Sequence, residues 1–171
     1  MCAAKDYVPL RSLPHLDGVL LWTMRAWVVG ITEKIPVEEQ IQDAFAKIGA
    51  PDASGQLFGF MWVLSHGARR MLNVDCVCKQ HVSTDERCLL DILALSQQGR
   101  SFEALLLLRS MVSAGAATAA HDGAARVTAA LTAAGRILQP RNLETARYVI
   151  APEHAAPEHA TAGAPFGRTL H

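Results

Sequence analysis

Apolar side chains recur at three- and four-residue spacing in six segments of this chain, and each segment closes on a proline, a glycine or an asparagine. That period gathers the apolar atoms on one face of a helix, so the chain must stack helices to remove those faces from water. Ser12, Leu13 and Pro14 read as the first start: a side-chain acceptor, then a proline whose missing N–H costs nothing in a first turn. Leu16, Val19, Leu20, Trp27 and Ile31 follow, and Trp22 and Met24 widen the stripe enough to predict burial on more than one side. Pro36 interrupts the chain, after which Glu38 and Glu39 fall where a helix dipole favours negative charge. Val37, Ile41, Ala44, Phe45 and Ile48 make the next face, and Gly49 stops it. A third helix is expected over about residues 53–71, with Phe58, Met61, Trp62, Ser65 and Ala68 inward, Arg69 and Arg70 in the last turn and Asn73 at the exit.

The period lapses from Val74 to Val82, which predicts an extended connector or a short β-like segment. Ser83 and Glu86 then have capping-box spacing, in which each side chain satisfies a backbone N–H at the other position. A helix from Thr84 carries Cys88, Leu89, Ile92, Leu93 and Leu95 to Gly99, and Ser101 is placed to cap another through Phe102, Leu105, Leu106, Leu108 and Val112. Gly115 closes that hairpin. An alanine-rich helix is expected from about Thr118 or Asp122 to Leu138, with Val127, Leu131 and Ile137 or Leu138 as its larger contacts and Pro140 ending it.

The fold class this predicts is all-α: a single compact bundle of five or six helices over residues 12–139, with an irregular Cys-containing connector. An irregular segment, 1–11, precedes it, and 140–171 is a C-terminal segment with a Pro/Ala/His-bearing tail. In that tail Ala151-Pro152-Glu153-His154-Ala155 is repeated at once as Ala156-Pro157-Glu158-His159-Ala160, a composition that suits an extended chain.

Composition supports the same class. Half of the 171 residues are hydrophobic but only 6% are aromatic, so alanine and leucine carry the apolar content and favour helix over sheet. The 16 basic and 16 acidic residues leave no excess charge to attract a polyanion, and Arg69, Arg70, Arg100 and Arg109 read as helix-end and surface groups, so no nucleic-acid partner is expected. The apolar runs from Gly18 to Ile31, broken by Arg25, and from Phe58 to Leu64 fall short of the roughly 20 residues that cross a bilayer. The opening residues lack a secretory leader pattern, so a cytoplasmic location with reduced thiols or a metal site is expected.

The chemistry concentrates in Cys76-x-Cys78-x-x-His81 and Cys88. Three thiols and an imidazole are the donor set of a four-coordinate zinc site, although Cys-x-Cys is not the usual zinc knuckle; in an extended strand it turns both sulfurs to one face. A redox role is the related alternative. Lys79, His81 and the N-terminus of the following helix can each lower a thiol pKa, which makes Cys78 the best nucleophile. The plainer reading packs Cys76 and Cys78 on one face of the connector and Cys88 on its helix, four residues before Ile92, and no cofactor is then required. Ser65-His66 matches no catalytic motif, His154 and His159 suit a solvated linker, and neither a Gly-x-Gly-x-x-Gly, a phosphate-binding loop nor a repeated Glu-x-x-His is present.

The stretch from Leu89 to Val112, with Gly99-Arg100-Ser101-Phe102-Glu103-Ala104 at its turn, resembles one tetratricopeptide-type hairpin. The resemblance covers about 24 residues, has no second copy at the 34-residue period, and implies antiparallel packing. The functional expectation is a small cytoplasmic helical module, interacting or regulatory rather than enzymatic, that uses the apolar surplus of its first helix for a protein partner or a second copy. The alternative is a metal- or redox-sensing protein built on Cys76, Cys78, His81 and Cys88. An enzyme with a pocket in the bundle is the third reading.

Overall fold

The computed structural model describes residues 8–140, which form six helices: α1 (His15–Glu33), α2 (Glu38–Lys47), α3 (Ala53–Gly67), α4 (Thr84–Gln97), α5 (Ser101–Met111) and α6 (Ala114–Ala133). Two short strands, β1 (Val8–Pro9) and β2 (His81–Val82), pair antiparallel with Val8 opposite Val82. The fold is the all-α bundle that the spacing predicts. The tail repeat, with His154 and His159, and the opening residues with Cys2 lie outside the described residues.

The helix punctuation holds in part. Ser83 Oγ accepts the Glu86 N–H at 3.2 Å and Glu86 Oε2 accepts the Ser83 N–H at 2.8 Å, completing the capping box of α4. Ser12, by contrast, does not cap α1: it sits in a 3-10 turn, Leu10–Ser12, and its hydroxyl donates to the Pro9 carbonyl at 2.7 Å. Pro14 is the residue before the first turn instead, and its carbonyl accepts the Gly18 N–H. Ser101 is likewise the first residue of α5 and not its cap. α6 starts earlier than its alanine content suggests, because Ser113 caps it by accepting the Ala116 N–H, so Gly115 lies inside α6 rather than closing the hairpin, and the helix ends at Ala133, short of Leu138.

Among the described elements, α3 and α6 make the most extensive contact. Small residues make it possible. A side chain at Gly67 would overlap the Ala116 methyl, and one at Gly123 would lie 3.3 Å from the Phe60 Cα, so the two antiparallel backbones approach as closely as glycine allows. Ala117, Ala120 and Ala124 are fully buried along the same seam. At its end the Ser113 N–H donates to the Gly67 carbonyl and the Arg69 N–H to the Met111 carbonyl, joining the exit of α3 to the α5–α6 junction.

This seam corrects the expected inner face of α3. The buried residues are Ala53, Ser54, Leu57, Phe60, Met61 and Leu64, whereas Trp62 is 56% exposed and Phe58, Ser65 and Ala68 are half-buried. α3 is apolar around most of its circumference, so its period alone does not identify the face that α6 covers. α3 also stops at Gly67, before Arg69 and Arg70. α4 packs on α1, α5 and α6 and buries Leu89, Leu90, Ile92, Leu93 and Leu95. α5 turns Ala104, Leu107, Leu108 and Met111 inward and leaves Phe102 79% exposed. Leu138 is buried and Ile137 exposed; the Leu138 N–H donates to Gln97 Oε1 at 2.7 Å and fastens the exit of α6 to the end of α4. No helix among the described residues is long and apolar enough to cross a membrane.

Candidate functional site

The site is built from the first turn of α4. Four backbone N–H groups at a helix start lack intrahelical acceptors and attract anions, and here Asp85 and Glu86 occupy that turn. Glu86 is fully buried, and facing it from α1 is Arg25, 1% exposed. Their contact is bidentate: Arg25 Nε donates to Glu86 Oε1 at 2.7 Å and Nη2 to Oε2 at 2.8 Å. A buried charge pair survives only when its remaining donors and acceptors are also satisfied. Arg25 Nη1 donates to the Lys79 carbonyl at 2.8 Å and Nη2 to the His81 carbonyl at 2.6 Å. Glu86 also accepts the N–H groups of Asp75, at 2.9 Å, and Ser83.

Asp85 performs the matching task one residue earlier. Its carboxylate takes both terminal nitrogens of Arg70, at 2.7 and 2.6 Å, and the Asn73 N–H at 2.7 Å. The hydrogen bond to Asp85 holds the Arg70 pKa above its ordinary value, against the opposing effect of partial burial. Arg70 therefore does not close α3 but ties the connector to α4. Ser83 Oγ, in turn, donates to the Asn73 carbonyl at 2.5 Å. Asp85 and Glu86 thus fasten the connector directly at residues 70, 73, 75 and 83, and Arg25, paired with Glu86, fastens it at the carbonyls of residues 79 and 81.

Between those fastenings the chain makes a turn, with the Lys79 N–H donating to the Cys76 carbonyl at 3.1 Å, and the short β-like segment expected here is β2, His81–Val82. The turn brings the Cα atoms of Cys76 and Cys78 to 5.4 Å, and their sulfurs are joined in a disulfide. This overturns the expectation of reduced or packed thiols at these positions. Cys76 is half-buried, Cys78 is exposed, and Val77 stands in solvent between them. Across the base of the loop His81 Nε2 lies 3.2 Å from Asp75 Oδ2, whose carboxylate is buried.

Cys88 takes no part in this turn. It is a free thiol, 5% exposed, within α4. Burial pushes its pKa far above the usual thiol range, Asp91 and Asp85 add to the shift, and Arg70 only partly opposes it. Packing, the plainer reading, describes Cys88. The four residues of the suggested cluster therefore separate: Cys76 and Cys78 bond to each other, His81 faces Asp75, and Cys88 belongs to the core. Among the described residues no group of three or more His, Cys, Asp or Glu side chains is gathered for a metal ion.

A second feature lies between α1 and α3. Trp27, Ile31, Ile35, Val37, Phe58 and Trp62 line an open apolar groove of about 420 Å³. The Trp62 and His66 rings lie 4.2 Å apart at their centres, tilted by 35°, and His66 Nδ1 lies 2.9 Å from both the Trp62 carbonyl and Ser65 Oγ. Ser65 and His66 thus serve the helix surface.

Sequence reasoning passed over Arg25 and gave Glu86 only its capping role. The available signal was Arg25 itself, one cation inside an otherwise apolar stretch, since such a charge is buried only beside a partner. Comparison with known proteins gives no family model, curated protein or solved structure that matches this chain.

Proposed function

We propose that this chain is a redox-responsive regulatory protein whose working group is the Cys76–Cys78 pair. The observation that carries this reading is a solvent-facing disulfide with only one residue between its cysteines, on a turn whose two flanks are fastened to Arg25 and Glu86. A bridge this short closes almost no loop: chain-entropy arguments assign it about 1.5 kcal/mol, far less than a bridge spanning a domain. The turn is held by other bonds, so the bridge is poorly suited to be a staple and well suited to open and close on a fixed scaffold. In a reducing compartment such exposed bridges cycle rather than persist. Zinc binding at Cys76, Cys78, His81 and Cys88 would require opening the bridge and withdrawing Cys88 from the core, which makes it the less supported use of the same residues.

Equilibration of the full chain in glutathione buffers of graded ratio, with alkylation and mass analysis, tests the reading. The expected result is a two-electron transition confined to Cys76 and Cys78, with melting temperatures of the two forms within about 6 °C of each other. Two free thiols under every buffer, or loss of the folded state on reduction, would overturn it.

A second reading, contact with a protein partner or a second copy, is supported by the α1–α3 groove, where Trp62 and Ile31 are exposed together. Light scattering of the full chain and of Trp62→Ala tests the self-association form. A strict monomer at all concentrations counts against that form.

A further inference from the structure

We infer that Cys78 is the sulfur through which the pair exchanges with an incoming dithiol, and that Cys76 is the sulfur released and later re-engaged; this rests on the thiol–disulfide reading above. The two cysteines are chemically alike, so their surroundings must set the order of events. Exchange requires a thiolate to approach one sulfur in line with the bond it breaks, and access selects which sulfur is attacked. Cys78 is exposed and Cys76 half-buried.

Anchoring points the same way. Cys76 follows Asp75, whose N–H is bound to Glu86 and whose buried carboxylate faces His81, and the Cys76 carbonyl accepts the Lys79 N–H. On the far side of the turn, the Lys79 carbonyl is held by Arg25. Once freed, the Cys76 sulfur stays on a backbone fixed beside Cys78, the condition for rapid intramolecular return. Cys88 cannot substitute for it, being buried in α4.

A substrate thiolate attacks Cys78 Sγ; a substrate–Cys78 S–S bond forms, the Cys76–Cys78 bond breaks, and its electron pair leaves on Cys76 as thiolate. The second substrate thiolate then attacks its own sulfur in the mixed disulfide and expels Cys78 as thiolate. The substrate dithiol has become a disulfide, and its two electrons reside in the reduced pair. In the reverse direction Cys78 attacks a substrate disulfide and Cys76 resolves the intermediate. The turn lies outside the α1–α3 groove, with Val77 exposed at its tip, so the dithiol meets it at an open surface. Small dithiols and dithiols carried on a peptide share this chemistry.

The test uses the full chain carrying Cys2→Ser with either Cys76→Ser or Cys78→Ser, each checked for helical content, and an aromatic disulfide reagent that releases a coloured thiol. The variant retaining Cys78 is expected to react at least about ten-fold faster than the one retaining Cys76. Equal rates, or the opposite order, overturn the assignment while leaving the redox reading intact. Failure of the wild-type chain to form the 76–78 bridge defeats the redox reading itself, whatever the two rates. With the reagent's thiol left on Cys78, release by dithiothreitol is compared with release by a reduced bis-cysteine peptide at matched thiolate concentration. Faster release by the peptide identifies a polypeptide source, and faster release by dithiothreitol a small one. Release by neither overturns exchange through Cys78.

Discussion

Two regions bind distant parts of this chain together, and they do so by opposite means. The α3–α6 seam sets Gly67 against Ala116 and Gly123 against Phe60 by the fit of small residues, closed at one end by backbone hydrogen bonds and with no charged side chain in these contacts. The junction of α1, α4 and the connector instead buries an arginine and a glutamate, 61 residues apart, and satisfies them with backbone groups. Shape can be restored by moving volume from one helix to the other. A charge lattice has no such freedom, because removing one member strands the rest in a medium that cannot solvate them.

The largest expected effect breaks the charge lattice. Glu86→Ala leaves Arg25 buried without its counter-ion and removes half of the capping box; urea denaturation is expected to show a loss of about 3–5 kcal/mol. A loss below about 1 kcal/mol would mean that water reaches Arg25 and that the two regions do not differ as described.

In the seam, Gly67→Ala drives a methyl into that of Ala116 and is expected to cost about 1–3 kcal/mol. Adding Ala116→Gly removes the overlap, and the helix propensity lost at 116 is offset by that gained at 67, so the double variant should regain most of the loss. Failure of that rescue in thermal melts would show that the seam is more than complementary shape.

Cys88 lies on the helix that bears Asp85 and within the apolar core. Its raised pKa favours the protonated thiol in the folded state. That preference adds nothing to the pH dependence below the unfolded thiol's pKa. Above about pH 8.5 the unfolded chain sheds the proton first, and stability falls by up to about 1.4 kcal/mol per pH unit. Denaturation between pH 8 and 10.5 should show the decline in wild type and a shallower one in Cys88→Ala, each compared with its own value at pH 8. Parallel curves would place the alkaline loss elsewhere.

The smallest effect concerns Ser83, which belongs to the cap. Ser83→Ala is expected to cost about 1 kcal/mol by chemical denaturation while leaving the Arg25–Glu86 contact in place. A loss as large as that of Glu86→Ala would make cap and charge pair one indivisible unit.

Much of the fold was legible because helix starts and stops are local. Ser83 and Glu86 announce their capping box within four residues, and Gly49 and Gly99 mark ends that the helices respect. Faces were less legible where a helix is apolar all round. On α3 the buried side is chosen by which residues are small enough on α6 to let it approach, and that information lies some sixty residues downstream. Trp62 therefore read as core and stands in solvent. The site was half legible: Cys76 and Cys78 drew attention, but the turn that joins them depends on Arg25 and Glu86, whose partnership leaves no local pattern. Cys88 was grouped with them by proximity in sequence, although the helix carries it inward.

Arg25 holds the connector through the carbonyls of Lys79 and His81, not through their side chains. Every amino acid presents the same carbonyl, so the clamp is indifferent to what is written at positions 79 and 81. The turn is a socket: its frame is set by α1 and α4, while the residues displayed at its tip can be exchanged without redesigning the bundle that carries them.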